Sequence, residues 1–249
     1  MLTLPMVTAL GVTVLATSFL SGLFGMAGGM VLMGLLLTLL PVSAAMMLHG
    51  VTQMAANGWR AWLWRSHVVW SIVAQYALGG AVAVAVFALL ALVPDKAVSL
   101  IVLGLSPYMA LAVPARWAPD VTRRGHPVIA GVLCMGIQLV AGISGPLLDV
   151  FFVKSGLTRQ SVVATKATIQ VFGHLFKSVY FGAIVLASDA NAVPPAVLLL
   201  CVAMAVLGTN LSRRVLDRMT DDQFRAWSRR LVLVTGTIYL GQGLWLLAA

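Results

Sequence analysis

Runs of apolar residues long enough to cross a bilayer recur along the whole chain. A helical crossing needs about 20 apolar residues to span a hydrocarbon core ~30 Å thick, and the first such run is Leu4 to Phe24. In lipid the backbone has no water to bond to, so only helices and closed barrels can span. The alternating pattern of a β-barrel is absent. The chain is therefore read as an all-α integral membrane protein. Composition agrees, because 61% of its 249 residues are apolar and only 9% are charged, against about 25% charged in a soluble domain. Mean hydropathy is +1.00.

The net charge of +9 does not point to nucleic acid, because the cations are distributed in three clusters. Arg60 and Arg65 form the first, Arg116, Arg123 and Arg124 the second. Arg213, Arg214, Arg218, Arg225, Arg229 and Arg230 form the third. They alternate with the weakly charged connections Pro94-Asp95-Lys96 and Ser188-Asp189. That asymmetry is the positive-inside signature. It places the clusters in the cytoplasm and both termini outside, with the bacterial inner membrane as the expected location. Cys134 and Cys201 lie in apolar runs and imply neither a disulfide framework nor a zinc site. No cofactor or metal is expected. The N-terminus lacks a basic n-region, so its first apolar run reads as a span and not as a cleaved signal.

The expected helices are Leu4–Phe24, Met30–Leu40, Ser43–Trp64, Val68–Val93, Lys96–Val113, Pro127–Ile143, Pro146–Ser155, Arg159–Ala187, Pro194–Leu211 and Arg229–Leu247. Eight are long and two are short. Thr220 followed by Gln223 is a capping box that starts a basic amphipathic stretch ahead of the last helix. Each short helix follows a glycine-rich break, at Gly25 to Gly29 and at Gly142 to Pro146.

A shift of the chain against itself by 117 positions aligns these breaks. Gly25 meets Gly142 and Gly28 meets Gly145. Within the next long helix His49 meets Lys166, Gln53 meets Gln170, Asn57 meets His174, Trp59 meets Phe176 and Arg60 meets Lys177. The charge pattern puts the ends of these two helices on opposite faces. The expected architecture is thus two inverted-topology repeats, residues 1–114 and 127–249, joined by a cytoplasmic linker at 115–126. Inverted repeats with broken helices are a transporter design whose substrate site lies at the midplane between the halves.

Several residues could form that site. Glycine lets the chain leave helical geometry cheaply, and Pro146 suits the first turn of a new helix. Helices restarting at Gly28-Gly29 and at Ser144-Gly145-Pro146 would aim free N–H groups at an anion. Close helix packing is the competing explanation for the small residues. His49, Gln53 and Asn57 recur every four residues on one helix, and Lys166, Gln170 and His174 do so on its mate, so each trio makes one polar face. The faces are read as substrate-binding, with interhelical hydrogen bonding as the alternative. Lys166 supplies a full charge that needs an anion or a wet cavity. Asp149 either pairs with Lys166 or titrates. With His49 and His174, which are otherwise hydrogen-bonded structural groups, it is a candidate for coupling to protons. Lys177 is read as snorkelling to the outer interface. Trp59, Trp62, Trp64 and Trp70 read as an interfacial belt.

The stretches SGLFGMAGGMVLMGLLL, SAAMMLHGVTQMAANGWRAW, VAGISGPLLDVFF, SVVATKATIQVFGHLFKSVYFG and LDRMTDDQFRAWSRRLVLVTGTIYLGQGLWLL resemble the TauE/SafE sulfite exporter family over nearly the whole length. Shorter glycine runs and the presence of His49, Asp149 and Lys154 depart from its usual pattern. The resemblance implies a secondary transporter of small anions such as sulfite or organosulfonates, commonly working outward. The expected partners are that anion, the bilayer and protons as coupling ion. Nucleic acid is not among them, and self-association is left open. The alternatives are a passive anion channel and, from another class, an intramembrane enzyme built on Ser144 and His174. No Walker-type loop suggests an ATP-driven pump, and no enzyme activity is expected.

Overall fold

A chain this poor in charge can bury its backbone in lipid only by closing every hydrogen bond locally, and helices do that. The computed structural model describes residues 4–24, 26–187, 193–216 and 220–248, and among them it is helical with no strand. The helices are α1 (Leu4–Phe24), α2 (Met26–Leu39), α3 (Val42–Leu63), α4 (Trp70–Leu89), α5 (Lys96–Ala112), α6 (His126–Ala141), α7 (Gly145–Phe152), α8 (Arg159–Ala187), α9 (Pro195–Leu216) and α10 (Asp221–Ala248). Single 3-10 turns at Arg65–His67 and Ala115–Trp117 punctuate the connections. Gly25, the Ser188-Asp189 connection and Arg218 lie outside the described residues, as do the side chains of Arg213, Arg214 and Arg225.

Five helical segments are long and apolar enough to cross a membrane: α1, α4, α8, Pro195–Ser212 of α9 and Ala226–Ala248 of α10. The sequence led us to expect eight long spans. α5 and α6 fall short through length, at 17 and 16 residues. α3 has 22 residues, but His49, Gln53, Asn57 and Arg60 dilute its apolar character.

Several helix ends differ from expectation. α2 starts at Met26, so Gly28 and Gly29 lie within its first turns and not in a break. α4 stops at Leu89, and Asp95 caps α5 by accepting from Ala97 N at 2.7 Å. α7 ends at Phe152, which leaves Lys154 in the following loop, where its Nζ donates to Arg116 O at 2.6 Å. Thr220 and Gln223 do form the reciprocal capping box, at 3.1 and 3.2 Å, but the helix it starts runs on without interruption through α10. In the linker Asp120 accepts from Thr122 N and Oγ1, at 2.9 and 2.7 Å. These bonds hold its carboxyl below the usual range.

The most extensive packing is between α1 and α9, α3 and α8, α4 and α6, and α5 and α10, with α3–α9 and α4–α8 contacts between them. Large apolar side chains such as Leu89, Val179, Leu186, Leu199 and Trp245 point outward. Inside, the principal apolar cluster joins α2 and α3 to α6, α8 and α9, around Met30, Leu36, Met46, Leu139 and Cys201. Without a solvent-driven hydrophobic effect between helices, close approach at small residues does much of the work. α4 and α6 cross where Gly79 meets Gly131. A Cβ on Gly131 would stand 2.2 Å from Tyr76 O, and one on Gly79 would stand 2.0 Å from Val128 O.

This crossing gives a paired prediction on one helix. Gly131→Ala should lower unfolding stability in detergent by about 1–3 kcal/mol through overpacking. Gly136→Ala, where nothing lies within 4 Å of the new Cβ, should be neutral or raise it by up to about 1 kcal/mol. Thermal denaturation of the two variants side by side checks this, and equal shifts would contradict it.

Candidate functional site

Two elements bring the polar faces together. α3 and α8 pack along their lengths, and their four-residue polar spacing turns both faces inward. His49, Gln53, Asn57, Gln170 and His174 are all buried, at 8% exposure or less. They line one cavity together with Gly29, Ser144 and Gly145. The same cavity is lined by Ser21, Arg60 and Ile143, which the sequence reading did not include. It encloses about 30 Å³, room for about two water molecules. Gln53 lies three turns from the end of α3 and Gln170 three turns from the start of α8, about 15 Å along each helix.

The donors in this cavity are only partly used. Gln53 Nε2 and Ser21 Oγ are buried and have no hydrogen-bond partner. Arg60 reaches in from the end of α3 and donates from Nη2 to Ser21 O at 3.3 Å. Asn57 donates from Nδ2 to Gln53 O on its own helix at 2.9 Å. α7 begins at the cavity wall with Gly145, and Pro146 follows in its first turn. The first N–H groups of a helix have no partner within it. Gly142, with φ of 82°, ends α6 in the left-handed conformation that glycine adopts without penalty. α6 and α7 can then meet at an angle inside the protein.

Two hydrogen-bonded groups close the inner end. Lys177 Nζ donates to His49 Nδ1 and to Gly142 O, both at 2.8 Å. His49 Nε2 lies 2.9 Å from Gly29 O. A carbonyl can only accept, so Nε2 carries the proton and Nδ1 accepts from the lysine. The second group centres on Gln138. Ser144 Oγ donates to Gln138 Oε1 at 2.6 Å, and Gln138 Nε2 stands 3.3 Å from His174 Nδ1. The two imidazoles meet edge to face, with ring centroids 5.4 Å apart.

Three sequence expectations are corrected by this geometry. Lys166 does not line the cavity. It forms an ion pair with Asp149, and the two side chains are 23% and 43% exposed. Pairing was one of the two roles considered for Asp149. Lys177 does not snorkel to an interface, because it is fully buried. Gly28 faces α1, where a Cβ would come within 2.2 Å of Thr17 O, so its part here is close packing. Gln138 and Lys177 were missed as members of the network. Under the 117-residue shift Lys177 matches Arg60 and Gln138 matches Ser21, a signal for both.

Gln138 is the keystone of the second group. Gln138→Leu would leave His174 Nδ1 buried without its amide partner and Ser144 with only Tyr76 beside it, at a cost of about 1–3 kcal/mol. A fall of that size in unfolding free energy is expected by thermal or denaturant titration in detergent. Unchanged stability would show that these two groups find other partners.

The family model described as Sulfite exporter TauE/SafE matches residues 9–239. No match was found among curated proteins or among solved structures.

Proposed function

The chain belongs to the sulfite exporter TauE/SafE family, and from that premise we propose that it is a secondary active transporter that carries small sulfur oxoanions outward by alternating access. It is a multi-pass membrane protein of a transporter family. On this reading the anion sits in the cavity between α3, α8 and the start of α7. The observation that carries the proposal is Gln53 Nε2, buried and unpartnered, in a cavity that also holds an unpartnered Ser21 hydroxyl and the Arg60 guanidinium. Leaving buried donors unbonded is costly. An oxoanion would satisfy them, with Arg60 giving a charge-assisted pair.

Two inverted repeats fit the packing. Mapping α1–α5 onto α6–α10 carries the α1–α9 contact onto α6–α4 and the α3–α9 contact onto α8–α4. It leaves α3–α8 and α5–α10 mapped onto themselves. That is the pattern of a pseudo-two-fold axis passing between α3 and α8, where Gln53 and Gln170 are equivalent. A site on such an axis is common in transporters with broken helices. The enzyme alternative gains nothing from the geometry, since Ser144 and His174 each bond to Gln138 and not to each other.

A thermal-shift panel on purified protein tests the reading. Sulfite, sulfate, thiosulfate, sulfoacetate, taurine and small carboxylates are compared. A bound anion present at 100 times its dissociation constant should stabilise by about 2.7 kcal/mol. Gln53→Ala should weaken binding by about 0.5–1.5 kcal/mol, and Arg60→Gln by about 1.5–3 kcal/mol. Stabilisation by none of the anions, or binding that ignores both substitutions, would overturn the proposal.

A further inference from the structure

Arg60 and Lys177 hold equivalent places under the 117-residue shift, yet the structure uses them differently. Each donates to a carbonyl at the C-terminal end of a helix. Arg60 Nη2 does so to Ser21 O in the last turn of α1, and Lys177 Nζ to Gly142 O, the C-cap of α6. Cations are favoured at that end of a helix. Only Arg60 reaches the cavity. Lys177 is shut behind His49, with no exposure.

The lining repeats this asymmetry. The pairs Gln53 with Gln170 and Asn57 with His174 contribute both of their members. Arg60 lines the cavity and its counterpart Lys177 does not. A central set of pairs with a cation from one half only is one of two states that the repeat permits.

We propose that Lys177 is the anion-binding cation of the oppositely open state, where it takes the place that Arg60 holds in this one. The inference rests on the transporter reading above. Exchange between the states breaks the bonds from Lys177 to His49 Nδ1 and Gly142 O and frees the amine to face the cavity. In the state described here those two bonds satisfy Nζ without any anion. Once the cavity opens to it, an ammonium deep in the protein is held by water or by an anion, and an anion in the cavity supplies that partner. The departing lysine also releases His49, which its bond holds against Gly29 O. Arg60, at the other end, withdraws to the carbonyls of α1.

The test is sulfite exchange in proteoliposomes carrying uniformly oriented protein, with the half-saturating concentration measured separately on each face. Lys177→Gln should raise it at least tenfold more on one face than on the other. Arg60→Gln should do the same on the opposite face. A lysine with a structural role alone would slow exchange from both faces alike. Equal effects on the two faces, or effects of both variants on the same face, would overturn the inference. Should Lys177→Gln not fold, the wild-type protein supplies the answer. An impermeant amine-acylating reagent, read out by peptide mass spectrometry, should modify Lys177 from one face at least tenfold more during sulfite exchange than in its absence. No modification during active exchange would overturn the inference while the transporter reading stands. A wild-type protein that exchanges no sulfur oxoanion would overturn that reading, and this inference with it.

Discussion

The Lys177 amine fastens four helices at a single point. It belongs to α8, donates to the C-cap carbonyl of α6 and holds the His49 ring of α3, whose other nitrogen donates to Gly29 of α2. Polar groups out of reach of water are costly unless bonded, and each of these is bonded. The neighbouring Gln138 network does the same for Ser144 and His174. Together they allow a membrane helix to stop at Gly142 and restart at Gly145 inside the protein. Irregular backbone is tolerated at membrane depth only where protein covers it or a cavity receives it.

With the inner end sealed in this way, two buried donors that remain unused, Gln53 Nε2 and Ser21 Oγ, face one small space. Among the described residues no carboxylate lines it, since Asp149 is engaged by Lys166 elsewhere. Hydroxyl, amide and guanidinium groups offer donors to oxygen, and the guanidinium adds a fixed fork of N–H groups. The fixed positive charge of Arg60 in this lining suits a small anion. The Asp149–Lys166 pair is half-buried.

Much of this was legible in the sequence. The polar spacing of α3 and α8 placed five side chains in the cavity, because a repeat of four fixes a face whatever the tertiary context. The bounds of α8, Arg159 to Ala187, were read correctly from its apolar run. The glycine-rich stretch before α2 was less transparent. Glycine signals a break, but at Gly28 its missing Cβ serves the approach of α1 to a continuing helix. Lys177 was misread because its partners are distant in sequence, with His49 lying 128 positions away. Composition near a presumed helix end suggested snorkelling. Arg60 reads in the sequence as part of the first cytoplasmic cluster and not as a site residue, because charge distribution alone places it there. Their match under the 117-residue shift is visible in the sequence.

The central claim is that one anion sits between Gln53 and Gln170, on the axis that relates the two halves. A structure of the protein with selenite, whose heavier atom marks its own position, tests that most directly. The account predicts density within hydrogen-bond distance of Gln53 Nε2 and Ser21 Oγ, with Arg60 turned toward it and the Lys177 bonds intact. Density at Lys166, or an empty cavity at saturating selenite, would contradict it.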